Sequence, residues 1–226
     1  RQQGGSLVLR IEDTDTERSK KEYEKAIFEG LQWLKIIPAE DPEKGGDYGP
    51  YRQSERMPLY HKALGNLLQK RAIFYCSHKA ASEEEHSVHW CTDKDKELSS
   101  GILRFRTPQN QDIVFQDIIR GEVKFNTETI GDFSVARSID SPLYHFAVVV
   151  DDHLMEITHV LRGEDILPST PKHILMQNAL GYERPVYAHL PLVLGSDRNK
   201  LSKRHGPTSL LEFREKGYLP EALINF

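Results

Sequence analysis

The hydrophobic positions near the start of the chain repeat with a helical period. Between residues 23 and 34 they recur every three or four positions, which predicts an amphipathic helix that ends near Ile36. Ser19 and Glu22 have the spacing of a capping box, so we expect Ser19 to cap this helix. A similar stripe predicts a second amphipathic helix after Ser54. Each helix is expected to bury one face in a core.

Other segments are continuously apolar, which is typical of buried strands. They span residues 6–11, 143–150, 157–161 and the stretch that ends at Leu194. Four shorter β-like segments between residues 102 and 136 predict a small antiparallel unit, with a turn at Arg120 and Gly121. Thr170 is expected to cap a further helix, which Gly181 ends. This order of elements predicts an α/β, doubly wound nucleotide-binding fold that is divided by an insertion.

Charged residues follow the predicted strands at their carboxyl ends, where open α/β sheets bind ligands. Glu12 follows the first strand, Asp151 ends the strand that carries Tyr144, and Arg162 ends the next strand. Glu12 could bind an ammonium group and Arg162 a carboxylate, while Tyr144 could close the pocket. Such a set would select an acidic amino acid. The alternative is that each residue is a helix cap or a surface ion pair.

A basic loop follows the last predicted strand. Lys200, Ser202 and Lys203 lie in the sequence KLSKR, after a polar stretch that begins at Gly195. Two lysines three positions apart on a flexible loop could close around a polyphosphate, and Ser202 adds a hydroxyl donor. These three residues are therefore candidate catalytic residues. The alternative is a solvated basic turn.

Taken together, these segments resemble the bacterial-type glutamyl-tRNA synthetases, a family of class I aminoacyl-tRNA synthetases. The resemblance is carried, in family order, by LRIEDTD (9–15), YRQSER (51–56), YH with VVDDH (144–153), LRGED (161–165) and KLSKRHG (200–206). It implies activation of L-glutamate with ATP and Mg²⁺, followed by transfer of glutamate to the 3′ end of tRNA(Glu). The implied roles are glutamate binding by Glu12, Tyr144 and Arg162, adenosine contact by Glu164 and Asp165, and ATP phosphate contact by Lys203.

The resemblance also implies a domain plan, a Rossmann-like domain split by a small α+β insertion that binds the tRNA acceptor end. The predicted segments are a first Rossmann half (1–75), the insertion (76–140), a second Rossmann half (141–194), and a KMSKS-type loop with the start of a stem-contact region (195–226). The family's HIGH-type motif and first strand would precede Arg1. We therefore interpret the chain as an internal piece, and expect it alone to give no glutamate-dependent ATP–pyrophosphate exchange.

Two Cys/His pairs open the predicted insertion. Cys76 and His78 form one pair, and His89 and Cys91 form the other. Many members of the family carry a zinc site of the form Cys-x-Cys with Cys-x-His, and this chain has an altered form of that pattern. Four soft or borderline ligands in two pairs fit tetrahedral Zn²⁺, so one structural zinc ion is predicted. The alternative is that the cysteines are small packing residues and the histidines belong to a polar loop.

Composition narrows the class of protein. The 226 residues are 38% hydrophobic and carry a net charge of −4, which argues against a generally basic nucleic-acid coat but not against a local basic groove. No apolar run approaches the roughly 20 residues of a membrane span, so no membrane partner is expected. Two cysteines do not make a disulfide framework, so a reducing cytoplasm is the expected location. We expect a monomer.

Two other functions stay open at this point. One is a paralogue that charges glutamate onto a modified tRNA base, although that group usually has a degraded lysine loop. The other is a catalytically inactive tRNA-binding fragment. Sequence upstream of Arg1 and downstream of Phe226 would discriminate among the three, because it would contain the histidine motif and the anticodon-binding region.

Overall fold

The computed structural model describes residues 4–14, 19–78, 88–195, 197 and 209–225. The helices in these ranges are α1 (Lys21–Trp33), α2 (Met57–Gln69), α3 (Tyr144–Leu154), α4 (Thr170–Leu180), α5 (Leu210–Glu215) and α6 (Pro220–Asn225). The strands are β1 (Ile73–Cys76), β2 (Ile102–Phe105), β3 (Asp112–Asp117), β4 (Gly121–Asn126), β5 (Ser134–Ser138), β6 (Ser141–Pro142), β7 (His159–Gly163) and β8 (Val186–Leu190). Two compact units result, one from residues 1–55 with 192–226 and one from residues 56–191.

The second unit contains two four-stranded sheets. One has the antiparallel order β1-β2-β5-β6, and the other has the mixed order β4-β3-β8-β7. The hairpin of β3 and β4 turns at Arg120 and Gly121, as predicted, and Gly121 has a φ of +73° there. The predicted segments do pair antiparallel, β2 with β5 and β3 with β4, but they do not form one unit, because the two pairs lie in different sheets and β3 also pairs in parallel with β8. The α/β class is confirmed, with mixed sheets.

The core of the second unit lies between the sheets and helices α2, α3 and α4. The least exposed apolar side chains in this core come from the three helices and from β2 and β5: Tyr60, Leu64, Leu67, Leu103, Val135, Phe146, Val150, Ile174 and Met176. Burial of such side chains is the main favourable contribution to folding. Because the helices pack on each other as well as on the strands, they fix the residues at their ends in place.

The segment predicted as a strand over residues 143–150 is instead helix α3. Its side chains from Phe146 to Asp152 are all buried, so the apolar run has no polar face to reveal a helical period. A continuously apolar run is compatible with a buried helix as well as with a strand, and packing decides between them. Asp151 therefore lies inside a helix rather than at a strand end, and Tyr144 is the first residue of that helix.

In the first unit, the stretch 6–11 is extended but is not a buried strand. It forms isolated bridges through Val8 and Ile11, and Leu7 is 47% exposed. The capping box predicted at Ser19 is also wrong, since α1 begins after Lys20 and has no side-chain cap. By contrast, Ser209 and Glu212 form a complete capping box at the start of α5.

Two further boundaries differ from the predictions. Thr170 is the first residue of α4 and not its cap, and its hydroxyl bonds across to β7 and β8. Gly181 ends α4 as expected, in the left-handed conformation. The strand predicted to end at Leu194 ends at Leu190. Among the helices described here, none combines the length and the apolar character needed to cross a bilayer.

Candidate functional site

Arg162 lies on β7, the edge strand of the mixed sheet, directly opposite His189 on β8. The side chains of two residues in register on adjacent parallel strands emerge on the same face of the sheet. Helix α4 begins shortly after β7, so its first turn reaches the same face. The pairing of β7 with β8 and the first turn of α4 therefore place polar side chains around Arg162.

Three neutral groups accept hydrogen bonds from Arg162. Its Nε donates to His189 Nε2 (3.1 Å), Nη1 to His173 Nδ1 (3.3 Å) and Nη2 to Thr170 Oγ1 (2.7 Å). Thr170 and His173 are three positions apart on α4 and therefore point the same way. We call Arg162 and these three acceptors the arginine cluster.

The charge of Arg162 is not balanced by a carboxylate contact within the described part of the chain. Its guanidinium lies 5.5 Å from the centre of the Tyr187 ring. Burial lowers the pKa of Arg162, while Tyr187, Tyr144 and the more distant carboxylates of Asp152 and Asp117 act in the opposite direction. Because an arginine remains protonated even so, the cluster presents a partly buried positive charge.

Helix α3 contributes a histidine beside this cluster. His145 Nδ1 lies 2.9 Å from His173 Nε2, and His145 Nε2 lies 3.5 Å from Ser169 Oγ. Burial lowers the pKa of His145 to about 4 and that of His173 well below its usual range, so both rings are neutral near pH 7. A neutral His173 can accept the hydrogen bond from Arg162, which a protonated ring could not do.

The other predicted pocket residues of the second unit lie on nearby segments. Tyr144 is 39% exposed, and its ring is 5.1 Å from that of His145. Glu164 begins the 3₁₀ turn that follows β7 and forms an ion pair with Arg120 from the β3–β4 hairpin. Asp165 is exposed, and its carboxylate lies close to Gly163. A Cβ at position 163 would lie only 2.5 Å from Asp165 Oδ1. The structure thus places Tyr144 near Arg162, with Glu164 and Asp165 next along the chain.

Glu12 belongs to the first unit, where it lines a cleft of about 540 Å³. Its carboxylate accepts a hydrogen bond from Arg10 at 3.0 Å. The neighbouring Asp13 accepts bonds from the backbone and hydroxyl of Ser54, so it fixes the 3₁₀ turn that begins at Gln53. Lys200, Ser202 and Lys203 lie outside the described residues, and their roles stay predictions.

Asp151 has a different role from the one its sequence position indicated. It is fully buried in α3 and accepts hydrogen bonds from Arg56 Nε (2.6 Å) and the Tyr60 hydroxyl (2.9 Å). Arg56 is 1% exposed. A buried arginine bonded to a buried carboxylate joins α2 to α3, which is a structural contact rather than a ligand site.

A second group of functional character lies at the end of β1. Cys76, His78, His89 and Cys91 offer ligand atoms that all lie within 4.8 Å of one another, and we call them the Cys/His cluster. Both cysteines are free, with their sulfurs 3.2 Å apart, well beyond the length of a disulfide. Burial raises the pKa of the Cys91 thiol to about 11 and lowers the pKa of His89.

The distances within the Cys/His cluster fit a tetrahedral metal site. His78 Nδ1 lies 3.3 Å from Cys76 Sγ and 3.6 Å from Cys91 Sγ, and His89 Nε2 lies 4.0 Å from Cys76 Sγ. Around one zinc ion, a tetrahedron would have edges of about 3.8 Å between sulfurs and about 3.6 Å between sulfur and nitrogen. The four side chains therefore need only small shifts to share one ion.

Two buried aspartates hold the segments of this cluster. Asp93 accepts bonds from the backbone and hydroxyl of Ser77 and from Lys96, which together hold its pKa well below the usual range. Asp132 accepts a 2.8 Å bond from the backbone nitrogen of Cys91. Hydrogen bonds of this kind fix the backbone that carries metal ligands.

Two glycines with positive φ lie against the same backbone. A side chain on Gly101 would meet the Cys76 carbonyl oxygen at 2.5 Å, and one on Gly131 would meet the His89 carbonyl oxygen at 2.7 Å. Only a residue without a Cβ allows both approaches. The backbone at Gly101 and at Gly131 therefore packs directly against the backbone that carries the two Cys/His pairs.

Several residues in and beside the arginine cluster could not be identified from the sequence alone. His173, His189 and the adjacent Asp117 were missed because they are separated from Arg162 by 11 to 45 positions and meet it only through the fold. One signal could have found His189. It is a polar, titratable residue within an otherwise apolar strand, VYAHL, and buried polar residues require a specific partner.

The chain is similar to known aminoacyl-tRNA synthetases. The family model for "tRNA synthetases class I (E and Q), catalytic domain" matches residues 1–86 and 75–226. A glutamate–tRNA ligase from Natranaerobius thermophilus is 47% identical over 98% of this chain and 50% of its own length. Glutamate–tRNA ligase 2 from Fervidobacterium nodosum is 44% identical over the whole chain and 48% of its own length.

Solved structures give the same result. A glutamate tRNA ligase from Elizabethkingia meningosepticum, crystallised in complex with its amino acid, superposes with a TM-score of 0.81 at 35% identity, over 98% of this chain and 53% of that one. The glutamate–tRNA synthetase from Elizabethkingia anophelis gives a TM-score of 0.82 with 54% of its chain covered. The chain thus spans about half the length of the relatives it matches.

Proposed function

The chain belongs to the class I tRNA synthetase family for glutamate and glutamine, and from that membership we propose that the protein activates L-glutamate and transfers it to tRNA(Glu). An oxygen of the glutamate α-carboxylate attacks the α-phosphorus of ATP, and pyrophosphate leaves. The terminal hydroxyl of the tRNA then attacks the carbonyl carbon of the adenylate, and AMP leaves. Mg²⁺ would neutralise phosphate charge in the first step.

The observation that carries this proposal is the arginine cluster. Arg162 is a partly buried cation that is held by three neutral acceptors and contacts no carboxylate among the described residues. A carboxylate that enters this site would gain a charge-assisted contact in a region of low dielectric constant. The side-chain carboxylate of glutamate supplies such a group, whereas the neutral amide of glutamine does not.

The remaining roles in the proposal come from the sequence motifs. Glu12 would bind the α-ammonium group of glutamate, and Tyr144 would close the pocket on the side of α3. Glu164 and Asp165 would contact the adenosine of ATP. Lys200, Ser202 and Lys203 would bind the phosphates and stabilise the charge that develops on them. The relatives that match at 44–47% identity are glutamate–tRNA ligases, which supports glutamate over glutamine.

We further propose that the Cys/His cluster binds one structural zinc ion. The support is the chemistry of the donor set, two thiols and two imidazoles, and its compact geometry. In this role Cys76, His78, His89 and Cys91 would join the end of β1 to the segment before β2. That segment is polar and has few apolar side chains to bury. Coordination of the metal would therefore supply the stability that a hydrophobic core provides elsewhere.

The domain plan is also a proposal. Residues 76–140 would contact the acceptor end of tRNA(Glu), between Rossmann halves at 1–75 and 141–194, and residues 195–226 would contain the lysine loop. The hairpin β3–β4 of the proposed insertion pairs with β8 of the second half, so the two segments share a sheet. A monomer located in the cytoplasm remains a prediction from composition.

Glutamate-dependent exchange of pyrophosphate into ATP tests the function, measured on the intact protein that contains this chain. Arg162→Ala should chiefly raise the KM for glutamate, and Lys203→Ala should slow adenylate formation by roughly two to four orders of magnitude. Arg184→Ala is the matched control, because this exposed arginine hydrogen-bonds to Asn178 and to no other side chain that the structure describes. Exchange that depends on glutamine, or on no amino acid, would contradict the proposal.

A further inference from the structure

We infer that Asp117 and His189 are positioning residues for Arg162, which orient its guanidinium for the carboxylate of the amino acid. The inference deepens the proposed function and rests on it. Neither residue would touch the substrate. Asp117 ends β3 and His189 lies on β8, so the two residues connect the β3–β4 hairpin to the arginine cluster.

The hydrogen bonds of Arg162 determine the protonation of His189. Arginine can only donate, so His189 Nε2, 3.1 Å from Arg162 Nε, must be the unprotonated acceptor nitrogen of a neutral ring. The proton of the ring is then on Nδ1, which lies 2.6 Å from Asp117 Oδ2. Asp117 therefore selects the tautomer that Arg162 requires.

The carboxylate of Asp117 is itself firmly held. Its Oδ1 accepts bonds from the backbone nitrogens of Ile119 and Arg120 (both 2.9 Å) and of His189 (3.3 Å). Although burial alone would raise its pKa, the bond from His189 and these backbone bonds lower the pKa of Asp117 to about 2. Asp117 is thus an anion in a fixed position at neutral pH, and its side chain and that of His189 are fully buried.

This arrangement constrains Arg162 on one side of its guanidinium. His189 accepts from Nε, and Thr170 accepts from Nη2 while lying 3.0 Å from the same nitrogen of His189. With His173 on Nη1, three of the five N–H groups have acceptors among the described residues. The second N–H group on each terminal nitrogen has no acceptor in the part of the chain that the structure describes, so it can donate to a ligand. Loss of the acceptor at Nε would allow the plane of the guanidinium to rotate.

Asp117→Asn tests the inference with the smallest change of shape. The amide oxygen can still accept the backbone bonds of the turn, but the amide nitrogen would face His189 Nδ1 as a donor. His189 would then take the other tautomer, and its Nε2–H would oppose the N–H of Arg162. We expect the KM for glutamate to rise about 10- to 100-fold in the exchange reaction of the intact protein, with less than about threefold change in kcat and in the KM for ATP.

Thr127→Val is the matched control. Thr127 follows β4 of the same hairpin and is fully buried, and the change removes the hydroxyl that accepts a 2.9 Å hydrogen bond from the backbone nitrogen of Gln111. We expect it to lower thermal stability to a degree comparable with Asp117→Asn while leaving the KM for glutamate unchanged. A difference between the two variants would separate positioning from general stabilisation.

The ring ¹⁵N chemical shifts of His189 provide a readout that does not depend on activity. The wild-type protein should show a protonated Nδ1 and a bare Nε2, and Asp117→Asn should reverse the two. The inference is overturned if the wild-type ring is doubly protonated, or if the tautomer reverses and the KM for glutamate does not change. A wild-type protein without glutamate-dependent exchange would instead overturn the proposed function, while the tautomer result would stand.

Discussion

The Cys/His cluster and the arginine cluster lie in the same unit but are built from opposite kinds of group. The Cys/His cluster gathers four electron-pair donors with no cationic side chain among them. The arginine cluster gathers neutral acceptors around one cation. The first is therefore suited to a metal cation and the second to an anion.

The two clusters also differ in what they connect. The Cys/His cluster joins two short segments of a polar loop, and the glycines and aspartates around it contact the backbone of those segments. The arginine cluster is assembled by β7, β8 and α4, which are already held by the core. Substitutions in the Cys/His cluster should therefore chiefly change stability, whereas substitutions in the arginine cluster should chiefly change ligand binding.

The largest effect is expected at the Cys/His cluster. Protein purified without a histidine tag should contain about one zinc ion per chain, and Cys76→Ser or Cys91→Ser should reduce this to near zero. Metal coordination by such sites contributes several kcal/mol or more to folding, so the variants should also unfold at lower temperature. Elemental analysis and thermal melts provide the measurements.

His153→Ala is the control for this experiment, because His153 stacks on Tyr182 and is not a member of the cluster. Its zinc content should equal that of the wild type. A wild-type protein with almost no zinc would mean that Cys76 and Cys91 are packing residues.

The second effect compares the buried Arg56 with the partly buried Arg162. Arg56 is bonded to the carboxylate of Asp151, so Arg56→Met removes a cation from a buried carboxylate and should lower the free energy of unfolding by about 3–5 kcal/mol. Within the described ranges, Arg162 contacts no carboxylate, and burial already lowers its pKa. Arg162→Met should therefore lower the free energy of unfolding by less than Arg56→Met does, by about 1–2 kcal/mol for the buried acceptors that lose their donor, while reducing kcat/KM for glutamate about 100-fold or more.

Urea denaturation of the two variants, followed by glutamate kinetics, makes this comparison. Equal destabilisation by both substitutions would show that Arg162 is a structural residue like Arg56. A stable Arg162→Met protein with unchanged glutamate kinetics would show that the arginine cluster is not part of the glutamate-binding site.

The two regions also differ in how far the sequence could predict them. All four members of the Cys/His cluster were predicted, because each pair is separated by a single residue and that spacing is visible without a fold. Arg162 was predicted from its place after an apolar run, which is β7 in the structure with slightly different bounds. The hydrogen-bond acceptors of Arg162 were not predicted, because the register that puts His189 opposite Arg162 depends on which strands pair.

The wrong predictions have related causes. Helix α3 was interpreted as a strand because full burial removed its polar face, and Asp151 was consequently placed at a strand end. The parallel pairing of β3 with β8 joins segments about 70 residues apart, which no local pattern encodes. That pairing is what brings Asp117 to His189, so the positioning pair could be found only in the folded structure.

The smallest effects are expected from two glycines, one beside each cluster. Gly131 has a φ of +64°, and an added Cβ would lie 2.7 Å from the backbone carbonyl of His89, which cannot easily move. Gly163 has a φ of −67°, which alanine adopts freely, and its Cβ would meet only the end of the Asp165 side chain. Gly131→Ala should cost about 2 kcal/mol of stability and weaken zinc binding in a chelator competition, since alanine is strained at positive φ and His89 must shift.

Gly163→Ala should cost less than about 1 kcal/mol, leave the KM for glutamate unchanged and raise the KM for ATP a few-fold, because the displaced Asp165 is a proposed adenosine contact. If Gly163→Ala instead raised the KM for glutamate and left that for ATP unchanged, the backbone after Arg162 would be part of the amino-acid site, and Asp165 would have no role in binding ATP.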